Sequence, residues 1–318
     1  LLRAYGIRKK MSIYKQVCKK TIQGKAFSDL AGIFSQRVEM RPYVTMRIGG
    51  PAKALYIPKQ MSDLIGLILL CKRYRTSLLP LGNGSNMIVS DKGTRKIFVK
   101  LGAPFFKKAV VRGQEITCGA GLSLNRFCDI AEKNSLSGAE FLVGIPGTIG
   151  GAIIQNAGAH KKEISGILKQ IRCIDLSGNL VTLDLKEADF GYRFSGIKGL
   201  LIVSATFALK KSNRAIIQER TIRHIEARLS TQDYTAPSAG CVFKNPANKK
   251  SSAGALIDKC GLKGARIGDA MVSHKHANFI VNKGKATAKD VLELIQLIKK
   301  KVGTEEGVIL EQEIEVIV

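Results

Sequence analysis

The chain has 318 residues, with 51 Lys and Arg against 25 Asp and Glu, a formal net charge of +26. Its 45% hydrophobic content is enough to build a packed core, which excludes wholesale disorder. The longest apolar stretch, Leu64–Cys71, falls far short of the ~20 residues a helix needs to cross a bilayer, and the length suggests about two domains. Residues 1–25 hold eight basic and no acidic residues and read as a basic N-terminal tail without the apolar segment of a secretory signal. Val44–Ile48 and Ala54–Ile57 are predicted strands around the turn Gly49-Gly50-Pro51. Ser62 is the expected N-cap of a helix over 63–74, where Leu64, Leu67, Ile68 and Cys71 recur at helical spacing. Leu78–Leu81 and Met87–Ser90 are predicted strands flanking Gly82-Asn83-Gly84-Ser85-Asn86. Short strands over 97–118 lead to a helix over Leu124–Lys133. Gly144–Gly151 is too glycine-dense for a regular element. Strands follow at Ile171–Ile174, Val181–Leu185 and Leu201–Leu209, then a basic connecting helix over 214–229. Val242-Phe243, Phe279–Val281 and Ile314–Val318 are strand-like, and Val291, Leu294, Ile295 and Ile298 mark an amphipathic helix. Boundaries are expected near residues 99 and 212.

The charge is unevenly placed. Outside the tail, 43 bases face 25 acids, and there is no Trp. Nucleic-acid platforms need clustered aromatics for base stacking, and none occurs, so no nucleic-acid partner is expected. The seven Cys (18, 71, 118, 128, 173, 241 and 260) are widely spaced and form no CxxC, and the four His are scattered. Neither a metal site nor a disulfide framework is implied; reduced thiols fit a cytoplasmic chain.

Three glycine-rich turns stand out: Gly49-Gly50, Gly82–Asn86 and Gly144–Gly151. Glycine lets backbone N–H groups approach a ligand closely, and successive amides make a concave anion site suited to a pyrophosphate. No G-x-x-x-x-G-K-[ST] occurs, and no GxGxxG lies between a strand and a helix, so P-loop and dinucleotide-fingerprint readings are disfavoured.

The strings around these turns are specific. Thr45–Ala52, Leu81–Val89, Gly119-Ala120-Gly121, Phe141–Glu163 with Gln155-Asn156-Ala157-Gly158-Ala159, Gly191–Ser195, Gly240–Pro246, Ala253–Ile257 and Glu311–Ile314 occur in that order. Taken together they resemble the UDP-N-acetylenolpyruvoylglucosamine reductases, flavoenzymes of bacterial peptidoglycan synthesis, over roughly residues 40–318. The resemblance implies an α+β chain. A two-part FAD-binding domain of the vanillyl-alcohol-oxidase type would span 26–99 and 100–212, and a smaller α/β substrate-binding domain 213–318. It is similar to the shorter type, which lacks a substrate-covering tyrosine loop. FAD would contact Arg47, Gly49, Gly50, Gly82, Asn83, Gly84, Ser85, Asn86, Gly121, Gly144, Ile145, Pro146, Gly147, Thr148, Gly150, Gly151, Asn156, Ala157 and Gly158. NADPH would be the reductant. A UDP-sugar would be the substrate, held by Tyr192, Lys244 and Asn245, and the enzyme is expected to be a cytoplasmic monomer.

The implied chemistry reduces an enolpyruvyl ether to a lactyl ether, with hydride delivered to C3 and a proton to C2. A fixed cation is needed against the substrate carboxylate, and Arg193 in Gly-Tyr-Arg-Phe-Ser matches that position; arginine is permanently charged and forks bidentately. Glu313 matches a second stabiliser, a carboxyl able to donate a hydrogen bond when protonated. Glu311 and Glu315 share its face at period two. The acid for C2 falls on Cys241, where serine is usual; a thiol is the far stronger acid. His160 stands where tyrosine is usual. Two other readings stay open: a different flavin-dependent oxidoreductase of the same fold, and an anion- or nucleic-acid-binding protein driven by charge.

Overall fold

The computed structural model describes residues 30–247 and 251–318; the expected tail lies outside the described residues. The first body is a four-stranded sheet, ordered β1 (Ile33–Glu39), β2 (Pro51–Ile57), β5 (Thr94–Val99), β3 (Leu78–Pro80). Helix α1 (Met61–Arg73) crosses from β2 to β3, and β2 and β3 both pair with β5 in parallel. The apolar stripe of α1 seats Leu64, Leu67, Ile68 and Cys71 on the sheet. Each such buried aliphatic side chain contributes about 1.5–3 kcal/mol.

The second body is a five-stranded antiparallel sheet in the order β12 (Leu180–Asp184), β11 (Leu168–Asp175), β15 (Leu200–Ala208), β7 (Glu115–Gly119), β6 (Ala109–Arg112). Helices α2 (Leu124–Lys133) and α3 (Ile149–Ile154) pack within its core. Paired two-residue strands decorate it: β8 (Leu136–Ser137) with β16 (Lys210–Lys211), β9 (Gly158–Ala159) with β10 (Lys162–Glu163), and β13 (Phe190–Gly191) with β14 (Phe194–Ser195). Ile174, Leu201 and Val203 also reach into the core of the first body, so the two share one apolar seam.

The last body holds a sheet ordered β17 (Ser238–Cys241), β20 (Phe279–Asn282), β19 (Ala270–Val272), β18 (Arg266–Ile267). Helices α5 (Ala253–Lys259) and α6 (Ala288–Glu306) cover it; Val291, Leu294, Ile295 and Ile298 are buried as the spacing predicts. Between the second and last bodies runs α4 (Arg214–Thr231), which packs mainly on α2, β8 and the turn at Glu140–Leu142, and whose Leu229 carbonyl accepts from Lys275 of the last body. The boundary expected near 212 falls just before α4, which packs on the second body. Finally β21 (Glu315–Ile317) returns to pair in parallel with β4 (Met87–Val89), next to the second glycine turn.

Several local expectations need correcting. Val44–Ile48 is not a strand but a turn, with Arg47 at φ 55°. Its alternating Met46 and Ile48 are buried because they plug the core of the last body. The strand that pairs with β2 is β1, which the sequence hides by exposing most of its residues at a sheet edge. Helix α1 begins two residues earlier than expected, capped by Gln60 in a reciprocal pair with Asp63 rather than by Ser62. Gly144–Gly151 does contain regular structure: Thr148 caps α3 and accepts from the Gly151 N–H at 3.4 Å. The strand expected at Val242-Phe243 is shifted, since β17 ends at Cys241 and Phe243 makes a single bridge to Gln312.

Candidate active site

The three glycine turns converge. Thr45 donates its N–H to the Gly84 carbonyl at 3.1 Å, joining the first turn region to the second. Ser85 Oγ donates to the Pro146 carbonyl, joining the second to the third. A Cβ on Gly82 would lie 2.9 Å from Thr148 Oγ1, so glycine there lets the second and third turns touch. Gly50 has a different reason: a Cβ would meet the Asp91 carbonyl oxygen at 2.1 Å, and protein backbone fills that space. Gly49 packs likewise on Val89, and Gly121 on the Leu101 carbonyl.

Among the described residues, the N–H groups of 82–86 donate to no protein acceptor. Together with exposed Asn83 they form a run of free donors at a turn, and that chemistry fits the pyrophosphate of FAD. The third turn is more committed. Gly144 N–H donates to Asn125 Oδ1, Ile145 N–H to Leu142, and Gly150 N–H to Ala120, while the Gly147 carbonyl accepts from Leu124. Arg47 is exposed beside the first turn. Asn156 is fully buried: Nδ2 donates to Glu163 Oε2 at 2.8 Å and to the Gly191 carbonyl at 2.9 Å, while Oδ1 accepts from the Ser165 N–H. Its side chain therefore anchors the 191–195 hairpin. Ala157 is buried beside it, and the Gly158 carbonyl accepts from Arg193.

Arg193 sits at the tip of the β13–β14 hairpin with φ 54°. Nη1 donates to the Gly158 carbonyl at 3.1 Å, and the guanidinium carbon lies 5.6 Å from the ring centre of half-exposed Tyr192. Nε stands 2.9 Å from Glu313 Oε1, yet this buried N–H is not directed at any acceptor. The pair is held by charge, and a donor on Arg193 is left over.

Glu313 is fixed by its backbone. Its N–H donates to the Val242 carbonyl at 2.8 Å, and its carbonyl accepts from Asn86 Nδ2 at 3.2 Å. Burial pushes the Glu313 carboxyl above the usual carboxylate range, against the opposing pull of Arg193 and Lys244. Cys241 ends β17, two residues from where Phe243 meets Gln312. Burial, and then the Glu313 charge, pushes the Cys241 thiol up to about 12, against Arg193 and Arg228. It remains a neutral thiol throughout the physiological range.

Lys244 Nζ pairs with Glu311 at 2.6 Å, and its N–H donates to the Glu311 carbonyl. Asn245 Oδ1 accepts from the Ala253 N–H at 3.0 Å, so Asn245 holds the start of α5. Arg193, Cys241 and Glu313 are therefore brought together, with Tyr192 and Lys244 at their edges.

Some contributors are not evident from sequence. Buried Asn278 clamps Phe243 by accepting from its N–H at 2.9 Å and donating to its carbonyl at 2.8 Å. The signal available is one amide inside an apolar run, Ala277-Asn278-Phe279-Ile280. Arg228, on α4, donates Nε to the Val143 carbonyl at 3.1 Å and lies against Gly144. His224 lies against His160, with ring centres 4.4 Å apart and ring planes tilted by 40°. Among the described residues no acidic, His or Cys group is arranged to hold a metal, and no helix is long and apolar enough to cross a membrane.

Comparison with known proteins matches this geometry to a family. Residues 52–184 match the FAD binding domain family, and residues 232–317 match the UDP-N-acetylenolpyruvoylglucosamine reductase C-terminal domain. The chain is 40% identical over 278 residues to the UDP-N-acetylenolpyruvoylglucosamine reductase of Bacillus pumilus, covering 86% of this chain and 91% of that one. It is 37% identical over 278 residues to the Bacillus subtilis protein of the same name, covering 86% of this chain and 91% of that one. The crystal structure of the Thermus caldophilus reductase aligns with a TM-score of 0.78 at 35% identity, over 90% of this chain and 99% of that one. Agreement over nearly the whole of both chains extends well beyond shared motifs: this chain belongs to the UDP-N-acetylenolpyruvoylglucosamine reductase family, with its α+β fold and FAD-binding domain.

Proposed function

We propose that this protein reduces UDP-N-acetylenolpyruvoylglucosamine to UDP-N-acetylmuramate in peptidoglycan synthesis, with FAD as cofactor and NADPH as reductant. The observation that carries this reading is the meeting of a cation, a neutral thiol and a largely enclosed carboxyl, Arg193, Cys241 and Glu313, beside the glycine turns. The first two bodies would hold FAD, with free N–H donors at 82–86 toward the pyrophosphate, and the last body the UDP-sugar.

Bound FAD would supply, at C3 of the enolpyruvyl group, the hydride equivalents that NADPH provides. The negative charge then at C2 spreads into the substrate carboxylate. Arg193 opposes that charge with a permanently charged guanidinium, prepositioned by Gly158 and by the Asn156-anchored hairpin. Protonated Glu313 donates a hydrogen bond to the enolate-like oxygen. Cys241 gives its proton to C2, forming the C–H bond and leaving a thiolate, which Arg193 and Arg228 stabilise until solvent reprotonates it. Tyr192 and Lys244 border the cleft and would contact the sugar and the diphosphate.

All three reactive side chains come from one chain, so a monomer suffices. The nucleotide sugar and NADPH, together with free thiols at all six described cysteines, favour a cytoplasmic setting. The test is NADPH oxidation by the FAD-loaded protein. Oxidation that depends on UDP-N-acetylenolpyruvoylglucosamine, with the lactyl ether as product, is the expected result. NADPH or another donor consumed with no dependence on this substrate would instead indicate a different flavin oxidoreductase of the same fold.

A further inference from the structure

We infer that substrate binding is coupled to proton uptake: the enolpyruvyl carboxylate takes over Arg193, and Glu313 accepts a proton from solvent as it does so. The inference rests on the reading of Arg193 as the carboxylate anchor.

The geometry at Arg193 is that of a cation awaiting a better partner. Glu313 Oε1 lies 2.9 Å from Nε, but the N–H is not aimed at it, and this buried donor is without an acceptor. Nη1 is already fixed on the Gly158 carbonyl at 3.1 Å, and Tyr192 backs the guanidinium. A substrate carboxylate can make the directed, charge-assisted hydrogen bond that Glu313 does not make. Two carboxylates on one guanidinium, away from bulk water, cannot both stay ionised cheaply.

Protonation is then the favoured response of a carboxyl whose main chain is held in place beside the guanidinium. The Glu313 main chain is tied to Val242 on one side and to Asn86 on the other. Among the described residues the charged and titratable groups facing it are few. Arg193 comes from the β13–β14 turn and Cys241 from β17, the latter a neutral thiol. Lys244 follows β17 and is itself paired with Glu311 at 2.6 Å. Arg228 of α4 acts on Cys241 by its charge. Once Arg193 is neutralised by substrate, Lys244, already shared, is the one cation among the described residues that still favours the ionised form of Glu313. Burial favours the neutral form, so the proton goes to Glu313 rather than to the substrate carboxylate, which the guanidinium now holds. The substrate thereby creates the hydrogen-bond donor that its own reduction requires, and no free-protein acid has to be kept at neutral pH.

Calorimetric titration decides the matter without turnover. Oxidised, FAD-loaded protein is titrated with UDP-N-acetylenolpyruvoylglucosamine in the absence of NADPH, in phosphate and in Tris at mildly alkaline pH. The difference in heats should report about one proton taken up per ligand bound. The uptake should shrink toward zero as the pH is lowered to where Glu313 is already protonated in the free protein. UDP-N-acetylglucosamine, which lacks the carboxylate, should bind with no uptake. Glu313→Gln should bind the enolpyruvyl ligand with no uptake. Binding of that ligand with no uptake at any pH, or uptake that persists in Glu313→Gln, would overturn the coupling and leave the proposed activity standing. No binding at all would overturn the proposed activity, and the coupling with it. If Glu313→Gln does not fold, the two ligands on the unaltered protein still decide.

Discussion

The side-chain amide of Asn86 donates to the main-chain carbonyl of Glu313 at 3.2 Å, across 227 residues of sequence. Asn86 lies in the glycine turn that fits a pyrophosphate, and Glu313 is in the proposed reacting cluster. The bond therefore sets the distance between the two.

Asn86→Ala should separate two roles. Loss of this single partly buried bond should cost about 1 kcal/mol of stability, read as a modest fall in melting temperature. Turnover should fall about 10- to 100-fold as Glu313 shifts, while FAD content stays near one per chain. Asn86→Asp, which cannot donate, should behave as the alanine variant does. A protein that loses FAD but turns over normally when FAD is restored would instead make Asn86 a cofactor contact alone.

Cys241 should be needed for only half of the cycle. In Cys241→Ala, NADPH should still bleach the flavin at the normal rate, since no proton is needed from this side chain. Reoxidation by substrate should slow roughly 10²- to 10⁴-fold, the range for loss of a positioned acid. Cys241→Ser should keep substantial activity, because the hydroxyl can donate from the same place. Stopped-flow absorbance of the two half-reactions distinguishes these outcomes; equal, near-normal rates in both variants would remove Cys241 from the chemistry.

Stability should decline in alkali. Burial pushes the thiols of Cys71, Cys118, Cys128, Cys173 and Cys241 from 9.0 up to about 12. Below pH 9.0 the folded and unfolded chains both keep these protons, and nothing changes. Between 9.0 and about 12 the unfolded chain releases protons that the folded chain retains, so stability falls continuously as pH rises through that window. Denaturant midpoints measured across it should decrease. In Cys173→Ala the slope should be shallower by about one proton, even if the starting stability is lower.

The parts of the site that glycine dictates were legible in the sequence, because close backbone approach leaves few residue choices. Gly82 and Gly84 are such positions, and both sit where chain segments touch. Helices α2 and α6 were legible from their periodic apolar faces. Val44–Ile48 was not, since alternating burial of Met46 and Ile48 looks the same in a strand and in a turn plugged into another body's core. Asn156 shows the same limit from the polar side. Its string marks it as important, but only the fold shows that its amide holds Glu163 and Gly191 and thus positions Arg193 from beneath. The partnership of Asn86 with Glu313 leaves no local trace, because neither residue's neighbours constrain the other.

The pairing of β4 with β21 also has a consequence for biosynthesis. The glycine turn leaves the ribosome long before the segment that carries Glu313. Closing so long a loop costs entropy that only the completed contacts return, and contacts of such separation form late. The nascent chain can thus complete the sheet of its first body well before it has an active site. The proposed reacting cluster comes into being only when residues 311–317 thread between Val242 and Asn86, so on this proposal a chain stalled before that point would be folded in large part and chemically inert.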